Sequence, residues 1–340
     1  MAKASAAACA SLRDVRFLEA GEELALDDDL VIAGDNADVL PRLPAGAFDL
    51  IYLDPPFNTG RARARATLAV RRAGLGEQGD RAGFGGRRYR SRLLRTLSYE
   101  DRFGDYLEFL APRLERCREL LAAHGTLYFH IDYREAHYCK LLLDEIFGRE
   151  AFLNELIWAY DYGGKPRRRW PAKHDTILVY VRTPGAHHFD TLEVEREPYM
   201  APGLVSPEKA ARGKLPTDVW FHTIVPTAGA EKTGYPTQKP EGVLRRIVAA
   251  SSRPGGWCLD PFAGSGTLGA VCRALGRRFV LIDSSPAALA VMRARLQGGG
   301  GEQLRFGDPQ PPVRGVRRGD PGWPSPARLE RTPARGAGSS

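Results

Sequence analysis

No apolar run in this sequence approaches the roughly 20 residues that a membrane-spanning helix requires, so no membrane contact is expected. The opening residues, MAKASAAACASLRDVRFLEAG, lack the basic stretch and long apolar segment of a secretion signal, and a cytoplasmic location is expected. Cysteine is scarce: Cys9, Cys117, Cys139, Cys258 and Cys272 are scattered and never form a Cys-x-x-Cys pair. That excludes a disulfide framework and a zinc knuckle and leaves buried free thiols. The 7 histidines show no ligand spacing, so no metal is expected. Neither an activated serine or cysteine motif nor a Gly-Lys-Ser/Thr phosphate loop is present, which disfavours covalent hydrolysis and nucleoside triphosphate chemistry.

What is present is a chain of 340 residues with 43% apolar content, enough to bury a substantial core, and a net charge of +8 that suits a polyanionic partner. Residues 1–25 and 298–340 are small, polar or rich in Gly, Pro and Arg, and both ends are expected to be poorly ordered. The arginine-dense stretch from Arg61 to Arg95 reads as a mobile basic loop suited to phosphate contact, or as a solvated insertion.

Between the ends, apolar runs rich in Val, Ile, Leu, Tyr and Phe alternate with helical patterns, the signature of a mostly parallel α/β sheet. Helices are expected over Asp105 to Ala122, Arg134 to Gly148, Gln238 to Ser251, Ser265 to Leu275 and Pro286 to Leu296. Five of the apolar runs end in an acid: LVIAGD in Asp35, LIYLD in Asp54, LYFHID in Asp132, WCLD in Asp260 and FVLID in Asp283. In an open parallel sheet the ligand crevice lies beyond the carboxyl ends of the strands, so these acids should gather along one edge.

The segment CLDPFAGSGTLGA, Cys258 to Ala270, reads as strand, glycine turn and helix start. Gly264 and Gly266 would let a ligand approach the backbone, with Ser265 and Thr267 available to cap the helix. Asp283 ends the next strand about twenty residues on, where a Rossmann-like fold places the acid that holds ribose hydroxyls. A dinucleotide or an adenosyl compound would satisfy that geometry. The order acid-Pro-Phe-Ala-Gly-Ser-Gly departs from the dinucleotide pattern and resembles the methionine-binding loop of S-adenosylmethionine-dependent methyltransferases. Asp260, Phe262, Gly264, Ser265, Gly266 and Thr267 are therefore cofactor candidates. TGYPTQKPEGVLRRIV resembles the segment packed beside the methionine tail in one branch of these enzymes, which adds Thr237, Gln238, Lys239 and Pro240.

Methylating an exocyclic amine poses a physical problem, because the nitrogen lone pair is delocalised into the ring. A carboxylate accepting one N–H hydrogen and a fixed carbonyl accepting the other favour a tetrahedral nitrogen whose lone pair can meet the methyl group. In LIYLDPPFNTG, Asp54 and the carbonyl of Pro55 would supply these acceptors, the pair Pro55-Pro56 would fix the backbone, and Phe57 would stack on a base taken out of its duplex. Asp-Pro-Pro-Phe followed later by the glycine loop closely resembles the beta group of DNA amino methyltransferases, in which the target-base half precedes the cofactor half. The likeness runs from about Leu30 to Leu296.

That resemblance implies a Rossmann-like, S-adenosylmethionine-dependent methyltransferase fold in circularly permuted order, with residues 26–149 as the target-base half and 235–297 as the cofactor half. Asp35 would approach the cofactor adenine and Asp283 its ribose. Residues 150–234 would form an inserted target-recognition region, where Lys165, Arg167, Arg168, Arg169 and Lys173 would meet phosphates of double-stranded DNA. The small size of this region leaves room for a homodimer or a partner restriction subunit. Adenine N6 is the expected target, since Asp-Pro-Pro-Phe resembles the adenine enzymes more than the Ser-Pro-Pro form usual for cytosine N4. RNA methylation and a non-catalytic DNA-binding module are the alternatives.

Overall fold

The computed structural model describes residues 15–19, 22–58, 105–226 and 229–297, together with the strand backbone at 63–72, 81–82 and 88–99. Cys9 and the expected tail 298–340 lie outside the described residues. Nine strands form one sheet. In chain order these are β1 (Val15–Glu19), β2 (Asp29–Ala33), β3 (Phe48–Leu53), β7 (Leu121–Ile131), β8 (Phe152–Ala159), β9 (His174–Val181), β10 (Val219–Phe221), β11 (Trp257–Asp260) and β12 (Arg278–Asp283). Their spatial order is β1-β2-β12-β11-β3-β7-β9-β8-β10. Pairing is parallel from β1 through to β7, while β9 runs antiparallel to both its neighbours.

The central strands are buried on both faces, which is why they read as continuous apolar runs. Alternate residues supply opposite cores. Leu30, Ile32, Ile51, Leu53, Phe129 and Ile131 face one layer, which contains Val39 of α1 (Asn36–Val39), Leu110 and Leu114 of α2 (Tyr106–Leu120) and Leu143 of α3 (Ala136–Phe147). Val31, Leu50, Tyr52, Tyr128, Phe279 and Leu281 face the other. That layer holds Leu244 and Ile247 of α5 (Glu241–Ser251), Leu268 and Val271 of α6 (Thr267–Ala274) and Met292 of α7 (Pro286–Gln297). The seventh helix, α4 (Pro207–Arg212), lies on the surface and contributes no buried residue. All five expected helices are present, and Asp105 caps α2 by accepting from the Glu108 amide at 3.0 Å.

Three expectations need correction. Val15–Glu19, within the segment expected to be poorly ordered, forms the edge strand β1 in parallel register with β2. The expected mobile loop at Arg61 to Arg95 carries a three-stranded antiparallel sheet: β4 (Arg63–Arg72) pairs with β6 (Arg88–Tyr99), which also pairs with β5 (Arg81–Ala82). Its alternating Arg-Ala-Arg-Ala-Thr and Arg-Tyr-Arg-Ser-Arg sequences have the period of two that a strand requires. Finally, β8, β9 and β10 arise from the region expected as an insertion, yet they complete the main sheet. The buried thiols are as expected: Cys117, Cys139, Cys258 and Cys272 are free and enclosed, and burial pushes Cys117 and Cys139 up to about 12. No helix among the described residues is long and apolar enough to cross a membrane.

Candidate active site

The five acids that end apolar runs meet as expected: Asp35, Asp54, Asp132, Asp260 and Asp283 all line one cavity of about 1050 Å³ at the carboxyl edge of the sheet. The permutation is resolved by strand pairing. Strand β11 lies directly beside β3, with Cys258 opposite Leu50 and Leu259 opposite Ile51, so the glycine loop and the Asp-Pro-Pro-Phe corner leave adjacent strand ends.

At the corner, Tyr106 donates its hydroxyl to the Pro56 carbonyl at 2.6 Å, tying the Pro-Pro backbone to the start of α2. Phe57 packs at the edge of the core against the His130 ring, centroids 5.8 Å apart. Asp54 is enclosed, and its two oxygens differ. Oδ2 pairs with the Lys239 ammonium, which also lies 5.0 Å from the centre of the Phe57 ring. Oδ1 is buried and has no hydrogen-bond partner. An unsatisfied buried acceptor is costly, and Asp54 is one of the residues that line the cavity. Lys239, expected beside the cofactor, thus reaches the acid of the other half, 185 residues away in the chain.

On the glycine loop, Gly264 has φ +51°, and a Cβ there would stand 3.2 Å from the Tyr235 ring. Its N–H donates to Asp283 Oδ2 at 2.8 Å, and the Ser285 N–H to Oδ1 at 2.8 Å, so Asp283 pins the loop while facing the cavity. Gly266 is corrected. It too has positive φ, +70°, but a Cβ there would meet Met292 at 2.8 Å, so this glycine serves the packing of α7 rather than ligand approach. Ser265 and Thr267 do not cap α6, whose N-cap is Gly266. Their hydroxyls pair with each other at 3.1 Å, and Thr267 donates to the Lys239 carbonyl at 3.2 Å while Arg295 donates to Thr267.

Thr237 and Gln238 line the cavity. The Gln238 amide, however, is spent on its own loop, accepting from the Thr233 N–H at 2.8 Å and donating to the Glu231 carbonyl. Pro240 precedes α5 as its N-cap residue, away from the cavity wall. Asp35 caps α1 through the Ala37 N–H and pairs with Arg113 at 3.0 Å. Arg113 stacks 3.9 Å over the Phe109 ring, next to Phe262. Asp132 holds Arg134. Of the expected phosphate contacts, Lys165, Arg167, Arg168 and Arg169 are exposed between β8 and β9, whereas Lys173 donates to the Gly163 carbonyl of its own segment at 2.9 Å.

Sequence reasoning missed a buried polar chain beneath Phe57. The Tyr52 hydroxyl meets His130 Nδ1 at 2.7 Å, His130 Nε2 meets Asp175 at 3.2 Å, and the Tyr160 hydroxyl donates to Asp175 at 3.0 Å. Trp158 stands edge-on to His130. Burial would raise the Asp175 carboxyl, but the His130 hydrogen bond and charge, with Lys239 and Tyr160, hold it below the usual range. Tyr52 and His130 lie two residues from Asp54 and Asp132 on their strands, the only local hint of this chain of contacts.

Asp260 behaves oppositely: burial, with the charges of Asp54 and Asp283, raises its carboxyl well above the usual range despite the Phe262 amide it accepts. A folded-state value above the unfolded one means that the native protein binds the extra proton, so stability falls as pH rises from the unfolded value of 3.8 toward the folded one. Asp260→Asn removes that cost and keeps the acceptor for Phe262. Its ligand-free melting temperature should exceed wild type by a few degrees at pH 8, and the gap should close as pH falls toward 4. A gap independent of pH in thermal melts would show that ionisation of Asp260 is not the cause.

The residues fit S-adenosylmethionine: a positive-φ glycine against the cavity, an acid closing the next strand, and a volume at the upper end of single-ligand sites, with room for a base beside the cofactor. The family model described as DNA methylase matches residues 48–293. The chain is 29% identical over 271 residues to the type II methyltransferase M.HpaI of Haemophilus parainfluenzae, covering 79% of this chain and 74% of that one. It is 30% identical over 262 residues to the DNA adenine methyltransferase YhdJ of Escherichia coli, covering 74% of this chain and 77% of that one. Among solved structures, PvuII DNA methyltransferase (cytosine-N4-specific) matches with a TM-score of 0.53 at 13% identity, over 78% of this chain and 85% of the other, a likeness of fold alone. The Asp-Pro-Pro-Phe corner and the glycine loop on adjacent strands of a permuted Rossmann-like sheet, and a family match over most of its length, make this chain a member of the N6/N4 DNA methylase family, which transfers methyl groups from S-adenosylmethionine to DNA.

Proposed function

We propose that this protein methylates the N6 amine of adenine in double-stranded DNA, on a base drawn out of the duplex into the cavity. The observation that carries the reading is the buried, unpartnered Oδ1 of Asp54, beside the Phe57 ring and next to the glycine loop. An aromatic amine entering there donates one N–H to Asp54 and the other to the Pro55 carbonyl, in a corner held by Tyr106 on Pro56. The two acceptors draw the amine away from planarity and localise its lone pair. The base ring lies on Phe57, so Lys239 must yield the place it holds over that ring. S-adenosylmethionine supplies an electrophilic methyl group on a sulfonium centre. Gly264 keeps the backbone low enough for it, Asp283 holds the ribose hydroxyls through lone pairs left by its two amide bonds, and Asp35 faces the adenine. The nitrogen–methyl bond forms as the sulfur–methyl bond breaks, so that a thioether, a secondary amine and one proton result, the proton passing to Asp54 or to water.

Adenine is favoured because a purine gains more stacking on Phe57 than a pyrimidine, and because a relative at 30% identity is named an adenine methyltransferase. Lys165, Arg167, Arg168 and Arg169 meet the phosphates in this reading, and the cytoplasm is where the protein acts. Nucleosides from a plasmid incubated with the enzyme and cofactor, separated by mass spectrometry, test it. N6-methyladenine as the sole product is expected. N4-methylcytosine alone would overturn the choice of base and preserve the chemistry.

A further inference from the structure

The most exposed aromatic side chain among the described residues has no evident structural reason to stand in water. Trp170 is 93% exposed, at the far end of the segment that leaves β8 and returns to β9. Immediately before it stand Arg167, Arg168 and Arg169, all exposed, and prolines at 166 and 171 restrict the backbone on either side. The base of the segment is firm: Tyr160 N–H bonds to the Lys173 carbonyl at 2.9 Å, and the Lys173 ammonium clips Gly163. Tyr160, Tyr162, Ala172 and His174, from both ends of the segment, line the same cavity as Asp54 and Phe57.

An indole left in water forgoes a large apolar contact area, and a surrounding band of cations rules out a basic or purely apolar partner. A nucleic acid duplex supplies both complements, phosphates for the guanidiniums and base faces for the ring. The segment that carries Trp170 borders the cavity through Tyr160, Tyr162, Ala172 and His174, and that narrows the role. When a base leaves the duplex, its former neighbours lose a stacking surface on each side, at a cost of a few kcal/mol for unstacking and unpairing. We propose that Trp170 enters the base stack at the position of the departing base, replacing the lost stacking while the three arginines hold the flanking phosphates. This rests on the reading of the cavity as the receptacle for a base from duplex DNA.

The test uses the full chain and two duplexes carrying its recognition sequence, as read from methylation-sensitive sequencing. In one the target base is paired; in the other it faces an abasic site, so that little pairing remains to be broken. The ratio of kcat/KM on the abasic-opposed duplex to that on the paired duplex should rise about tenfold or more in Trp170→Ala. Trp170→Phe should bring the ratio back most of the way. The salt dependence of DNA binding should stay as in wild type, because no charge is removed. An unchanged ratio in Trp170→Ala, including an equal loss on both duplexes, would overturn the insertion. A wild-type protein that methylates neither duplex would instead sink the reading of the cavity, and the insertion with it.

Discussion

Asp54→Ala should bind S-adenosylmethionine within a few-fold of wild type yet transfer methyl groups about a thousandfold more slowly, the scale on which one preorganised electrostatic group acts at a reacting centre. The loss should fall on kcat, because the carboxylate meets the amine most strongly as the nitrogen becomes tetrahedral. Asp54 has a second partner, however, and the alanine variant leaves the Lys239 ammonium without its counter-ion in an enclosed place. Asp54→Asn separates the two effects, since it keeps the shape and an acceptor but loses the charge. Single-turnover kinetics with cofactor affinity by calorimetry would check both variants. Wild-type turnover in Asp54→Ala would remove Asp54 from the chemistry, wild-type turnover in Asp54→Asn alone would show that the acceptor matters and the charge does not, and loss of cofactor affinity with turnover at saturation retained would move Asp54 to the donor site.

Gly264→Val should raise the dissociation constant for S-adenosylmethionine about a hundredfold or more, with the fold intact by circular dichroism. A β-branched residue is a poor occupant of φ +51°, and its Cβ would press on the Tyr235 ring at 3.2 Å. Displacing this turn also strains the Gly264 N–H bond to Asp283, so both walls of the donor site shift together. Gly266→Val makes the informative contrast. There the clash is with Met292 inside the packing of α7, and the main loss should be thermal stability. Unchanged affinity in Gly264→Val would place the donor elsewhere in the cavity.

Much of this site was legible because its signals are local. Buried parallel strands are apolar from end to end, and their acids mark where they stop, so the convergence of Asp54, Asp260 and Asp283 followed from the run boundaries alone. The contacts that escaped prediction join distant segments and leave no local pattern. Nothing in PTQKP indicates that the Lys239 ammonium crosses to Asp54, nor in the helix of Tyr106 that its hydroxyl fixes Pro56. Gly266 was misread because a ligand and a methionine side chain ask the same thing of a glycine: no Cβ. In the arginine-rich stretch, density of charge hid an alternation that was visible all along.

The pairing of β3 with β11 also fixes what the enzyme need not control. Neighbouring strands lie about 4.8 Å apart whatever joins them, so donor and acceptor loops inherit their separation from backbone hydrogen bonds. The connections between β3 and β11 can then lengthen or diversify without altering the reach of the transfer. A three-stranded sheet already occupies one of them. Evolution can therefore rewrite the intervening segments while the distance the methyl group travels stays set by the sheet.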